Sequence, residues 1–372
     1  MQIRRINTEH RGDVQRYVDF PFQLYRDCPQ WVPPLVSSVE HALNRRRHPF
    51  YRHSTASFFV AESEGQTLGR IAVMHNRNYN SYRQANVAFF GYFEVVQDIQ
   101  VARALLEAAL DWARAQDMDA IIGPKGLIGS DTGGVLVDGF EHRPAMGVPY
   151  NFPYYDAFIR DSGFGKDTDY VSGYLSGDHQ LPHRFYRIAD RVKARSGFRV
   201  KTFRSRREIR RWVPRIIAAH REAFSHTHTY YPPTDGEVAL IFDTLISVVD
   251  PRLAKIVMKD EKIVGFILAY HDVSAALQKT QGRLWPFGWY ALWRERKRTT
   301  WVNVNGLGIL PAYRGLGGNA LLYTELLKAI KACGFEHIDL VQVEEGNHKS
   351  LAEMKAIGVK WYKRHRGYKR TL

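Results

Sequence analysis

The sequence has only two cysteines, Cys28 and Cys333, in 372 residues. They are far apart and form no C-x-x-C pair, so neither a disulfide framework nor a thiolate metal knuckle organises the chain. Both read as thiols in a reducing compartment. No run of about 18 apolar residues occurs, which leaves no candidate for a membrane-spanning helix. The opening MQIRRINTEHRGD has no apolar stretch of the secretory-leader kind. The expectation is a cytoplasmic protein, with attachment to a membrane surface left open. Acidic side chains are also short: 38 Asp and Glu against 53 Lys and Arg, a net charge of +15. That excess predicts an anionic partner (nucleic acid, anionic lipid or a polyphosphate cofactor) without choosing among them. Finally, neither G-x-G-x-x-G nor G-x-x-x-x-G-K-[ST] occurs, which excludes a Rossmann or P-loop phosphate site.

What is present is a mixed α/β order that occurs twice. The length suits about two domains of 100–200 residues. Met1–Ile6 reads as a strand, followed by a helix from Glu9. Phe58–Glu62 and Leu68–Met74 flank Ser63-Glu64-Gly65-Gln66, a hairpin signal. Val87–Val96 is a strand, and Val101–Ala115 has helical apolar spacing at Val101, Leu105, Ala108 and Trp112. Ala120–Gly123 (strand), Asn151–Ser162 (helix) and Tyr170–Leu175 (strand) complete this half. The second half repeats the order. It has a strand at Arg199–Phe203, helices between Arg207 and Val249, and a hairpin of Ala254–Met258 with Ile263–Tyr270. A strand at Trp301–Leu310, a helix at Gly317–Ala332, a strand at His337–Val343, a helix at Lys349–Ile357 and a last strand at Trp361–Tyr368 follow. Repeated order predicts two similar folds in tandem, residues 1–180 and 197–372, joined near Ser176–Ser196.

The chemistry concentrates in Asn305–Leu322, NGLGILPAYRGLGGNALL. A strand ends at Leu310, Pro311 stops its ladder, and a helix opens at Gly317–Asn319. Such a turn points several amides and the positive end of a helix into one concavity, and Arg314 adds a guanidinium. A pyrophosphate is the natural ligand. Here the chain resembles the GCN5-related N-acetyltransferase (GNAT) superfamily, whose cofactor loop reads [QR]-x-x-G-x-[GA]. Arg314-Gly315-Leu316-Gly317-Gly318-Asn319 follows that pattern, with Asn319 where the family has Gly or Ala. Asn347-His348-Lys349-Ser350 is similar to the family's Asn-x-x-[AS] segment, and Gly358–Tyr368 to its closing strand. The whole chain also resembles a bacterial tandem group in that superfamily, the YghO-like proteins. It does so through Cys28–Pro34, Phe89–Glu94, Gly123-Pro124, Val137–Phe140 and Pro153–Tyr155.

The resemblance implies two tandem GNAT-like folds and transfer of an acyl group from acetyl-CoA or a longer acyl-CoA to a small or lipid-like amine. It implies a cofactor site at Gly308, Ile309, Leu310, Arg314, Gly315, Leu316, Gly317, Gly318, Asn319, Ala320 and Asn347. Backbone amides near Ile309 or Leu310 would steady the carbonyl oxygen. In the first half Val101–Leu106 takes the place of the cofactor loop and has neither its Arg nor its glycines, which implies a degenerate fold. No Tyr follows Asn347 on its helix, where the family often has its acid. Glu345 is the first candidate base, with His226 and Tyr230 in the segment that forms the acceptor wall. His226-x-His228 finds no third ligand, so no metal is expected. Leu284–Arg298 (LWPFGWYALWRERKR) sets aromatics against a basic cluster. This stretch suits an anionic membrane surface, or a lid over a lipophilic substrate, as well as it suits core packing. No nucleic-acid motif accompanies the basic runs. An aminoacyl-tRNA-dependent transferase of the peptidoglycan-bridge type and a non-catalytic binding module for membrane or nucleic acid are the alternative readings.

Overall fold

The computed structural model describes residues 1–129, 131–195, 197–225 and 230–372. The first half runs β1 (Gln2–Arg5), α1 (Arg11–Leu24), α2 (Val36–Leu43), β2 (Thr55–Ser63), β3 (Gln66–His75), α3 (Arg77–Arg83) and β4 (Val87–Val95). It continues with α4 (Ile99–Arg114), β5 (Ala120–Gly123), β6 (Val135–Asp138), α5 (Tyr154–Asp161) and β7 (Gly165–Ser176). A connecting helix, α6 (His183–Arg195), leads to β8 (Phe198–Thr202), α7 (Arg206–Phe224), α8 (Asp235–Val248), β9 (Lys255–Lys259), β10 (Lys262–Ile267) and β11 (Ala269–His271). Then come α9 (Ser274–Thr280), α10 (Gly288–Arg298), β12 (Trp301–Val304), β13 (Gly308–Ile309), α11 (Gly318–Ala332), β14 (His337–Glu344), α12 (His348–Ala356) and β15 (Lys360–Thr371).

Local signals set these elements. The β2–β3 hairpin closes over two residues, Glu64 and Gly65, at φ 51 and 78. Positive φ at both positions matches the twist of the flanking strands. Asp98 caps α4 by accepting from the Gln100 amide, and Val101, Leu105 and Ala109 bury one face of that helix. Thr234 and Glu237 form a reciprocal capping box at the start of α8.

Among the described residues the strands form an eleven-stranded sheet in the order β1-β2-β3-β4-β5-β15-β7-β14-β12-β11, with β6 on β15, and a four-stranded sheet β13-β10-β9-β8. This is the mixed α/β architecture that the element order predicts. Two strands read as continuous in the sequence are each divided between the sheets: Ile263–Tyr270 into β10 and β11, and Trp301–Leu310 into β12 and β13. Gly306, at φ 87, turns the chain between β12 and β13. The halves also trade strands. The last strand, β15, lies between β5 and β7, and its Tyr368 is fully buried in the core of the first half. In return β7 pairs with β14, and Leu175 joins the core built on α6 and α11.

Candidate active site

The site begins where two parallel strands part. β12 and β14 are paired from Trp301↔His337 to Val304↔Leu340. Beyond that, β12's continuation leaves for β10, with Phe266↔Gly308 and Gly265↔Ile309, while β14 stays with β7. The result is a wedge-shaped gap. On its β13 edge the Leu310 N–H donates to the Val264 carbonyl at 2.9 Å. Antiparallel bonds alternate, so the neighbouring Gly265–Ile309 pair turns Ile309's amide away from β10, towards the side that β14 has left. Arg314 braces that edge: Nε donates to the Ile309 carbonyl (3.2 Å) and Nη2 to the Ala223 carbonyl (3.0 Å).

The turn then opens α11. Its N-cap, Gly317, sits at φ 87 and carries no side-chain cap, and no acidic residue occupies the first turn. The amides of Gly318, Asn319 and Ala320 have no acceptor within the helix, which leaves the positive end of α11 to partners outside it. Two glycines serve different purposes here. A Cβ on Gly317 would stand 2.6 Å from Val192 and 2.8 Å from Ile188, so this glycine admits α6. A Cβ on Gly315, at φ 78, would meet nothing within 4 Å, so the turn is open there. Gly308 lacks a Cβ where one would strike the Phe266 ring at 2.6 Å. Leu316 is half exposed beside the turn, and Leu321 and Leu322 are fully buried, which fixes the helix axis.

Asn319 reaches across to α12, where its Nδ2 lies 2.7 Å from each carboxylate oxygen of Glu353. Tyr323 donates to the same carboxylate at 3.0 Å. Asn347 caps α12 by accepting from the Ser350 amide at 3.3 Å. Glu345 turns outward. Its carboxylate pairs with Lys166 at 2.8 Å and accepts from the Asp169 amide at 3.0 Å. The Tyr230 ring packs 6.0 Å from Tyr82 in α3, its carbonyl accepts from Arg83, and its buried hydroxyl finds no partner among the described residues. Burial pushes the Tyr230 phenol up from its ordinary range. His226 and His228 lie outside the described residues.

A cleft occupies the face of the gap opposite α11. The α11 face of these strands carries Val302, Ile338 and Leu340, all packed in its core. Asn305 and Val341, the first residues past the last β12–β14 pair, instead line the cleft. Its other walls come mainly from the first half, including Tyr79, Tyr170, and Lys125 and Asp131 in the Gly-rich stretch that follows β5. The cavity holds about 180 Å³. Gln342, at φ 34 on a bulge of β14, ties the loop down by donating to the Gly133 carbonyl at 2.8 Å. Lys125 lies over the rings of Phe89 (5.5 Å) and Tyr79 (5.8 Å). Desolvation lowers its pKa to about 8, against the pull of Asp131 and Glu344. Desolvation raises Asp131 to about 6, opposed by the Ile128 amide and by Lys125. Neither residue follows from the cofactor signature. The cluster of glycines around them, immediately after a strand, was the signal available.

Residues 214–368 match the family model described as Acetyltransferase (GNAT) family. The chain superposes over its whole length on the tandem GNAT protein from the clavulanic acid biosynthesis pathway (TM-score 0.60, 14% identity, 98% of that chain). It also superposes on a GCN5-related N-acetyltransferase from Sphaerobacter thermophilus (TM-score 0.54, 13% identity, 100% of this chain and 95% of that one). The chain thus shares the fold of tandem GNAT proteins, and residues 214–368 are similar to the GNAT acetyltransferase family. In sequence it is similar to Protein YghO of Escherichia coli K12, 26% identical over 373 residues, 98% of this chain and 94% of the relative. It is also similar to the bacterial ceramide synthase of Caulobacter vibrioides, 24% identical over 371 residues, 97% and 95% of the two chains.

Proposed function

We propose that the chain is an N-acyltransferase that uses acyl-CoA and acylates the amine of a lipid-like molecule. The carrying observation is the parting of β12 from β14, with open helix amides on one face of the gap and a Lys–Asp cleft on the other. When bound, acyl-CoA would supply an activated thioester carbonyl: an N–C bond forms as the C–S bond breaks, coenzyme A leaves as its thiolate, and the amine gives up a proton. The residues present fit it. Gly315 leaves room at the turn, and the amides of Gly318, Asn319 and Ala320 suit a diphosphate. Ile309's amide is aimed into the gap, where a donor steadies an oxygen gaining negative charge. This reading assigns Asn347, the N-cap of α12, to the amide-bearing arm.

On the other face, Asp131 is ionised above about pH 6 and attracts an ammonium group. Lys125, neutral above about pH 8, takes the amine's proton. This reading gives the base to Lys125 in place of Glu345, whose carboxylate is held by Lys166 and the Asp169 amide. The name of the Caulobacter relative supports a lipid-like acceptor, since a ceramide is a long-chain amine carrying an N-acyl group.

Gly318→Asp tests the cofactor half of the reading. A Cβ there meets only Ile309 Cδ1, at 3.4 Å, and an acid in the first turn favours the helix while repelling phosphate. The expected result is an unchanged or higher Tm with coenzyme A affinity reduced at least tenfold in calorimetry. No heat from acetyl-CoA with the wild type, or undiminished binding by the variant, refutes the reading.

A further inference from the structure

One surface takes no part in the site just described. Between α9 and β12 the chain exposes a group of large aromatics: Trp285 is 82% and Phe287 77% solvent-accessible, and Trp289, Tyr290 and Trp293 are also exposed. Soluble chains seldom leave so many rings together in water. The group is held in position. Leu292, on the opposite side of α10, packs with Val32, Val273 and Leu277. Tyr290 stacks on Trp293 at 5.7 Å, and Trp289 Nε1 donates to the Pro286 carbonyl at 3.1 Å. These rings therefore face outward on a helix already anchored by its other face.

Basic groups border the rings. Arg294, Lys297 and Arg298 are exposed on the following turn, and Lys297 Nζ lies 3.8 Å from the Trp293 ring centroid. Beside them is an open groove between α7 and α8, lined by Arg206, Arg207, Arg210, Arg211, Asp243 and Ile246. Four guanidinium groups there meet one carboxylate. One carbonyl joins the two regions: Val249 O accepts from Arg206 Nε at 3.1 Å and from Arg296 Nη2 at 3.2 Å. The aromatic helix and the arginine groove are thus neighbours.

We infer that this face docks on an anionic lipid bilayer, with the rings of 285–293 in the interfacial layer and the arginine groove on lipid phosphates. Aromatic rings that are apolar in body and polar at one edge favour the headgroup boundary, and each Lys or Arg near an anionic surface strengthens attachment. A second copy is the wrong occupant, because a chain of net charge +15 brings like charge to a basic face. The bilayer alone supplies both an apolar layer and negative charge. The inference stands apart from the acyl-CoA reading, since it uses none of that site's residues.

The test is co-sedimentation of the full chain with vesicles of phosphatidylcholine containing 30% phosphatidylglycerol, and with pure phosphatidylcholine, at about 0.1 M salt. Wild type should pellet with the anionic vesicles, with a blue shift of tryptophan emission, and should bind the neutral ones at least tenfold more weakly. A Trp285→Ala/Phe287→Ala/Trp289→Ala variant changes only exposed rings and should fold and still bind coenzyme A, but lose at least tenfold in vesicle affinity. Arg207→Gln/Arg210→Gln/Arg211→Gln should lose affinity for anionic vesicles alone. Gly318→Asp should bind vesicles like wild type, which separates this inference from the cofactor reading. Failure of wild type to pellet, or binding by both variants as tight as wild type's, overturns the docking face. So does a wild-type dimer in sedimentation equilibrium that the aromatic variant abolishes.

Discussion

Lys125 and Asp131 each sit against their ordinary charge preference, because the cleft removes water from both. With Lys125 lowered to about 8 and acting as a neutral base, kcat/KM should rise with pH through about 8 and then level off. The sign follows from the group: a lysine accepts a proton only after losing its own. Lys125→Met should lower kcat/KM by about 10²–10⁴ and remove the rise through pH 8. Lys125→Arg should fail to restore it, because a guanidinium stays protonated. A pH–rate profile of the variants decides the matter, and an alkaline rise that survives in Lys125→Met contradicts the assignment. Glu345 illustrates the limit of reading a strand end from sequence. It follows β14 directly, and its carboxylate turns to Lys166, a residue 179 positions away.

At the scale of elements, α6 and α11 depend on one missing methyl. Gly317→Val would place a branched side chain at φ 87 and against Val192 and Ile188. A loss of about 2 kcal/mol or more is expected in denaturant unfolding, combining backbone strain with overpacking. Elements whose signals are local were legible: the Glu64-Gly65 hairpin, the amphipathic α4, and the strand–turn–helix of 301–332. The break of that strand at Gly306 was not, because it depends on which sheet each piece joins. The short helices α2 and α3 lacked the length for a periodic signal. Trp285, Trp289 and Trp293 suggested core packing as readily as an exposed face, since spacing reports a face and not what covers it. The cleft was hardest to foresee. Lys125 and Asp131 meet Asn305 only through contacts that span the two halves.

The whole molecule is held together by the traded strands. β15 pairs with β7 antiparallel from Lys360↔Tyr174 to Lys369↔Gly165, and with β5 from Tyr368↔Gly123 to Thr371↔Ala120. Residues 1–180 expressed alone would leave β5 and β7 with open edges and Tyr368's place in the core unfilled. They should aggregate or unfold without a sharp transition by circular dichroism. A fusion that follows Ser176 with a short turn and then residues 360–372 makes β7 and β15 a hairpin, and should unfold cooperatively. Equal behaviour of the two fragments would refute this dependence. The same trade sets an order on birth at the ribosome. The leading half stays an unclosed sheet while nearly two hundred further residues are translated, and it is completed only by the strand made after all of them. Nascent chains stalled before residue 360 should therefore be protease-sensitive in both halves, and the shielding of that waiting edge falls to chaperones or to speed.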